Sequence, residues 1–263
     1  MTTDVHSQLL REVRRLRIAL MYFTRIPVGG LSVWTPSELN NAMRYFPWVG
    51  ILVGLACSGI FLLLIPWLPV QAVIVLVLVS HCLLTGCFHE DGLADVCDGF
   101  GGAFDRSEKM QIMKDSRVGT YGVVGLWSVL MLKFALLSAL PIAMIPPLLL
   151  LAHGLSRLVP LSVMCLLSYV GDPEESRVKP VAESITSIDL SVAGLVVVPL
   201  LWFWPIATLV MLFTLLLLII VLCQLANRQI GGYTGDYLGF SQQISEVVVY
   251  IVCLLYTSPS PRD

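Results

Sequence analysis

Apolar runs of roughly membrane-crossing length recur along the chain, at 46–65, 70–88, 120–140, 146–169, 190–204, 205–226 and 244–256, with polar stretches between them. About 30 Å of hydrocarbon requires ~20 apolar residues in helical form, because lipid offers no partner to an unpaired backbone amide. The pattern predicts an all-α, polytopic integral-membrane helix bundle of six or seven transmembrane helices. The fifth and seventh runs are short. Ahead of them, from Leu9 to Phe23, apolar residues recur at helical spacing while Arg11, Arg14, Arg15 and Arg17 form the polar side. That spacing predicts an N-terminal amphipathic interfacial helix within residues 1–27, lying on an anionic inner leaflet; a short solvated helix is the alternative. Residues 1–256 read as one membrane-embedded domain. The last run is only about a dozen residues, short for a crossing, and Pro259 and Pro261 follow it. Prolines stop a helix, so 257–263 is expected to be a disordered or non-native tail.

Composition sharpens this picture: 57% of the 263 residues are hydrophobic and 13% charged, which excludes an ordinary soluble domain. The net charge of −2 gives no reason to expect a nucleic-acid partner. Seven cysteines without a CxxC pair lie mostly in or beside apolar runs and read as packing residues. The connections 66–70, 141–147 and 204–205 carry no charge, whereas 89–119, 171–189 and 227–243 collect Arg, Lys, Asp and Glu. The charged set is therefore expected on the cytoplasmic side, which gathers the polar motifs on one face.

The first motif is His89-Glu90-Asp91-Gly92-Leu93-Ala94-Asp95-Val96-Cys97-Asp98-Gly99, directly after the second run. If the helix continues through it, Asp91, Asp95 and Asp98 stand at i, i+4 and i+7, within roughly 60° of arc. Carboxylates so placed repel one another unless a cation neutralises them, and hard oxygen donors favour Mg²⁺, Mn²⁺ or Ca²⁺. A solvated acidic helix end is the bland alternative; acids abutting an apolar span favour the metal. Gly92 and Gly99 would let a substrate or another backbone approach, and His89 and Glu90 point away from the aspartate face.

Met113 to Gly122 sets Lys114, Asp115, Ser116, Arg117 and Thr120 among glycines before the third run. Arg117 offers a two-pronged fork to phosphate and Ser116 or Thr120 a hydroxyl, although either hydroxyl could simply cap a helix. Gly231-Gly232-Tyr233-Thr234-Gly235-Asp236 repeats the chemistry, with a plain interhelical turn as the alternative. Asp236 could complete a metal shell or orient a nucleophile, and Glu246, at the start of an apolar segment, is expected to face the site. Lys133 and Arg157 interrupt apolar runs, facing either the bundle interior or, by snorkelling, the interface. Arg25, in Thr24-Arg25-Ile26-Pro27, is a candidate for a phosphate or for lipid headgroups.

Phe23 to Pro27, Phe46-Pro47-Trp48-Val49-Gly50, Phe88 to Gly99, Met113 to Gly122, and Gly231 to Gly239 with Glu246, in this order, resemble the cobalamin-5′-phosphate synthase family, also called adenosylcobinamide-GDP ribazoletransferase. The resemblance implies a bacterial or archaeal inner-membrane enzyme that requires Mg²⁺. A hydroxyl of α-ribazole, or of its 5′-phosphate, attacks the corrinoid-side phosphorus of adenosylcobinamide-GDP, and GMP departs. It further implies Asp91, Asp95 and Asp98 as Mg²⁺ ligands, one of them doubling as a base; Arg117, Lys133 and Arg157 against the pyrophosphate; and Asp236 with Thr234 closing the pocket. The implied partners are the two substrates, membrane lipid, and a second copy of the chain or other cobalamin-assembly enzymes. A CDP-alcohol phosphotransferase is the first competing reading, but that family's motif has an arginine where this chain has Asp95. An ion-coupled transporter is the second, and motifs gathered on one face count against it.

Overall fold

The computed structural model describes residues 2–29, 34–171, 185–199 and 205–257. In chain order the helices are α1 (Thr2–Phe23), α2 (Pro36–Ala42), α3 (Phe46–Leu64), α4 (Val70–Thr85), α5 (Phe88–Gly102), α6 (Arg106–Met113), α7 (Thr120–Ser138), α8 (Ile145–Leu155), α9 (Leu158–Leu166), α10 (Ser187–Gly194), α11 (Pro205–Gln229) and α12 (Gly235–Thr257). Five stretches among the described residues are long and apolar enough to cross a membrane: Pro36–Leu64, Thr120–Ser138, Ile142–Leu166, Ile206–Gln229 and Gly235–Tyr256. Taken as one broken span, α4 with α5 makes a sixth. Leu62, Leu63, Trp127, Leu209 and Phe213 lie exposed on this bundle. An apolar exterior of that extent is a surface for lipid, and the chain is an all-α, multi-pass membrane protein.

Two expectations are revised, and a third falls partly outside the described residues. The second apolar run does not continue into the acidic motif: α4 and α5 meet at 92°. The cause is local, because Gly86 (φ 68°) and Cys87 (φ 57°) both adopt left-handed backbone. Glycine does this freely, whereas a side chain there costs about 1–2 kcal/mol; Cys87 is exposed, and its amide donates to the Cys82 carbonyl at 2.8 Å while its carbonyl accepts from the Asp91 amide at 2.9 Å. The last helix begins at Gly235 rather than near 244, and its 23 residues suffice for a crossing. Polar residues at its start had hidden its true length. Within the expected span 190–204, the described part is α10 followed by a short 3₁₀ turn, Leu195–Val197, and 200–204 lie outside the described residues. The expected tail from 258 onward and most of the polar connection 171–189 also lie outside them.

The α8–α9 stretch is the most enclosed of the spans, while α7 and α11 are largely peripheral. Pro160 explains the break between α8 and α9, since it cannot donate to Ser156 and its ring crowds that carbonyl. Glycines permit close helix approaches. A Cβ on Gly54 of α3 would lie 2.8 Å from Leu150 Cα and 2.9 Å from the Leu149 carbonyl of α8, and one on Gly92 of α5 would lie 2.6 Å from the Asp236 carbonyl of α12. Small residues permit such approaches between helices in lipid, where packing rather than water drives association. On α1, Ile18, Ala19 and Phe23 are buried while Leu9, Leu10 and Val13 are exposed. Arg14 of α1 pairs with Glu38 of α2 at 2.7 Å.

Gly54→Val is expected to destabilise the bundle by about 1–3 kcal/mol through overpacking. Gly59→Ala, at an exposed position with nothing within 4 Å of its Cβ, should leave the thermal midpoint in detergent unchanged.

Candidate active site

Carboxylates, amides and cations meet in the bundle interior. Glu246 of α12 is fully buried. Its Oε1 lies 3.0 Å from the Lys133 ammonium of α7 and accepts from the Tyr250 hydroxyl at 3.0 Å. Its Oε2 accepts from Gln242 at 2.9 Å and lies 3.5 Å from His153 Nδ1 of α8. Gln243 accepts from Lys133 at 2.7 Å and donates to Glu90 of α5 at 2.9 Å, and Glu90 lies 3.4 Å from His81 Nδ1 of α4. Arg157, also fully buried, donates to the His153 carbonyl at 2.7 Å and lies over the Phe46 ring, 5.4 Å from its centroid. Two cations thus face two carboxylates in a low-dielectric interior, where either sign left alone would be very costly.

On α5, Asp91, Asp95 and Asp98 keep the predicted i, i+4, i+7 placement, and His89 and Glu90 point the other way, into the bundle. Asp98 has a partner that the sequence did not reveal. Its carboxylate accepts from the amides of Gly119 at 2.7 Å and Gly122 at 2.8 Å, at the N-terminus of α7. A Cβ on Gly119 would lie 2.5 Å from Asp98 Oδ1, so the glycines of this segment admit that carboxylate. The anion site at this helix start, expected to cradle phosphate, is filled from within the chain. Asp236, in the first turn of α12, joins the acidic group instead: its charge, with those of Asp91 and Asp98, bears on Asp95. Among the described residues no cation pairs with Asp91, Asp95 or Asp236.

Asp91 and Asp236 border a cavity of about 440 Å³. Tyr22, Phe23, Phe46, Phe88, Tyr169 and Tyr233 supply its aromatic lining, with Lys114, Thr234 and His89 among its polar groups. A short parallel bridge between Tyr169 and Tyr233 ties the end of α9 to the turn before α12. Thr234 Oγ1 accepts from the Tyr237 amide at 3.2 Å, which starts α12 and sets Asp236 at the cavity edge.

Of the residues singled out from sequence, Asp91, Thr234 and Asp236 border this cavity. Asp95, half-buried, and Asp98 stand on the same helix but do not line it. Lys133 and Glu246, expected against the pyrophosphate or facing the site, are instead paired with each other in the interior, and Arg157, also expected there, is buried against the His153 carbonyl and the Phe46 ring. Asp115 and Arg117 pair with each other at 2.6 Å on the surface, where Arg117's hydrogen bonds pull the Asp115 carboxyl down to about 2. Ser116 and Thr120 are exposed, outside the cavity. Arg25 is exposed too: its amide donates to the Leu84 carbonyl at 2.7 Å, and its side chain packs at Gly86, beside the α4–α5 break. His81, His153, Gln242 and Gln243 were missed, although histidines inside apolar runs are a legible signal of a polar interior. Among the described residues, the ligand-type trios whose donor atoms lie within 4.8 Å of one another are His81, His153, Glu246 and His81, Cys82, Glu90. Lys133 already balances Glu246, and the aspartates form no closed trio.

The family described as cobalamin-5-phosphate synthase matches residues 15–254. The chain belongs to that family. An adenosylcobinamide-GDP ribazoletransferase of Shewanella amazonensis is 45% identical over 259 residues, covering 97% of this chain and 100% of the relative. Proteins of the same name from Shewanella frigidimarina (44% identical) and Shewanella oneidensis (43%) each cover 93% of this chain and 95% of their own. No solved structure matches. The family expected from the ordered motifs is therefore the one found.

Lys133→Met should lower stability by about 3–5 kcal/mol, because Glu246 would be left buried without its cation. Adding Glu246→Gln should recover much of the loss, a coupling that thermal unfolding of the single and double variants in detergent would measure. Asp98→Ala should cost about 0.5–2 kcal/mol by stripping the start of α7. Asp91→Ala, at an exposed position, should leave the melting midpoint within error of the parent.

Proposed function

We propose that this protein transfers the adenosylcobinamide-phosphate moiety of adenosylcobinamide-GDP to ribazole or ribazole 5′-phosphate, releasing GMP, with Mg²⁺ held between α5 and α12. The observation that carries this reading is that two carboxylates from different helices, Asp91 and Asp236, border one cavity with an aromatic wall. The family membership and the printed names of the relatives supply the substrates.

The residues suit a hard divalent cation. Magnesium is commonly held by one or two carboxylates plus water and substrate phosphates rather than by a closed protein cage, and the open disposition of Asp91, Asp95 and Asp236 matches that habit. When bound, such an ion supplies charge neutralisation on the pyrophosphate oxygens. Asp236 takes the proton of the attacking ribazole hydroxyl; a new O–P bond forms, and the bond to the bridging oxygen breaks with its electron pair leaving on GMP. Lys114, at the cavity rim, adds positive charge near the leaving phosphate. Lys133, Arg157 and Glu246 act at a distance in this account, by fixing α5, α7, α8 and α12 relative to one another. Asp98 does the same at the start of α7.

The charged connections favour a cavity that opens to the cytoplasm in an inner membrane. Ser116→Cys, at an exposed site on that face, should then react with a membrane-impermeant thiol reagent only in inside-out vesicles. Neither a phospholipid-making phosphotransferase nor a transporter accounts for the family match.

The test is GMP release from adenosylcobinamide-GDP by protein reconstituted in lipid, with and without ribazole. Turnover should vanish in chelator and return with Mg²⁺, and Asp91→Ala or Asp236→Asn should lower kcat by at least about a hundredfold. Full activity in chelator would remove the metal, and full activity in both variants would remove the site.

A further inference from the structure

One cavity side chain has no role so far. His89 is 1% exposed and borders the cavity, yet among the described residues neither ring nitrogen has a hydrogen-bond partner. Its ring lies nearly parallel to those of Phe46 (5.6 Å, 22°) and Phe23 (6.4 Å, 11°), which themselves stack at 3.9 Å. The imidazole is thus oriented by packing while its donor and its acceptor remain unused. Leaving such buried groups unmet costs about 1–3 kcal/mol each, which a ligand that meets one of them would relieve.

The surroundings say what kind of ligand. Around His89 the wall consists of Phe23, Phe46, Phe88 and Met43, flat or polarizable apolar surfaces that accept the face of a planar ring. A guanine edge presents several donors and acceptors and would find few partners here. A benzimidazole, with hydrocarbon edges and one unsubstituted ring nitrogen, needs one donor. At about 440 Å³ the cavity is of a size for a nucleoside-like ligand, whereas a whole corrinoid nucleotide is far larger.

We propose that the aromatic end of the cavity binds the planar base of the ribazole acceptor and that His89 hydrogen-bonds the unsubstituted nitrogen of that base. The inference rests on the transfer reading above and adds a residue that determines acceptor specificity. The base lies against Phe23 and Phe46, and the ribose points toward Asp91 and Asp236, where its hydroxyl reacts.

The experiment uses the full chain in lipid, with ribazole and an indole-type isostere in which the ring nitrogen is replaced by C–H. Equilibrium dialysis without the donor measures acceptor binding, and GMP release measures transfer. The parent is expected to bind and use ribazole about tenfold better than the isostere, the worth of one well-made hydrogen bond. His89→Phe, which keeps the stack, should raise the KM for ribazole about tenfold, leave the KM for adenosylcobinamide-GDP unchanged and reduce the discrimination below about twofold. His89→Gln should restore part of it, which a merely structural histidine would not. Equal binding of the two acceptors by the parent overturns the proposal whether or not any variant folds, as does undiminished discrimination in His89→Phe. Ribazole-selective binding that depends on His89 without any GMP release would uphold the base site and sink the transfer reading; normal release without discrimination would do the reverse.

Discussion

A fully buried carboxylate must find partners within the protein, and in this bundle Glu246 imposes that requirement on four helices at once. Lys133 from α7, His153 from α8, and Gln242 and Tyr250 from its own helix converge on it, and Gln243 extends the contact to Glu90 on α5. In lipid, apolar helix faces gain little from one another that acyl chains would not also give, so buried polar contacts decide which helices meet. The interior network therefore specifies an arrangement as much as it stabilises one.

That arrangement sets the distance between α5 and α12. Gly92 lets the Asp236 backbone come close, and Gly239 does the same against the His89 backbone. Two acidic helix segments are thereby pressed together just above a layer of buried cations. Among the described residues no cation pairs with Asp91 or Asp236 at the cavity edge, whereas Asp98 accepts from the amides at the start of α7. Carboxylates of one motif thus take different tasks: one organises a helix start, and the others remain available to a ligand. The 92° turn at Gly86 and Cys87 is what carries the motif across the end of the bundle instead of down through it.

The aromatic cavity follows from the same geometry. Phe23 at the end of α1, Phe46 at the start of α3 and His89 at the start of α5 are far apart in sequence but form one stacked layer, with Arg157 packed on Phe46. Charge below, apolar rings between and carboxylates at the rim give the site a polarity gradient suited to a substrate that is flat at one end and phosphate-bearing at the other.

By itself the sequence determined the membrane character, the helical class, the i, i+4, i+7 placement of Asp91, Asp95 and Asp98, and the family, because hydropathy, helical period and ordered motifs are local properties of a chain. It also contained the glycines and intramembrane charges that matter, without saying to whom they belong. Only the tertiary structure decided that Lys133 answers Glu246, that Asp98 answers the start of α7, that Arg117 answers Asp115, and that His89 faces a cavity without a partner. The reason is physical: a charge in a low-dielectric interior takes whichever partner packing brings within about 4 Å, and that choice depends on helix crossings and on left-handed backbone at two residues, which no local pattern encodes.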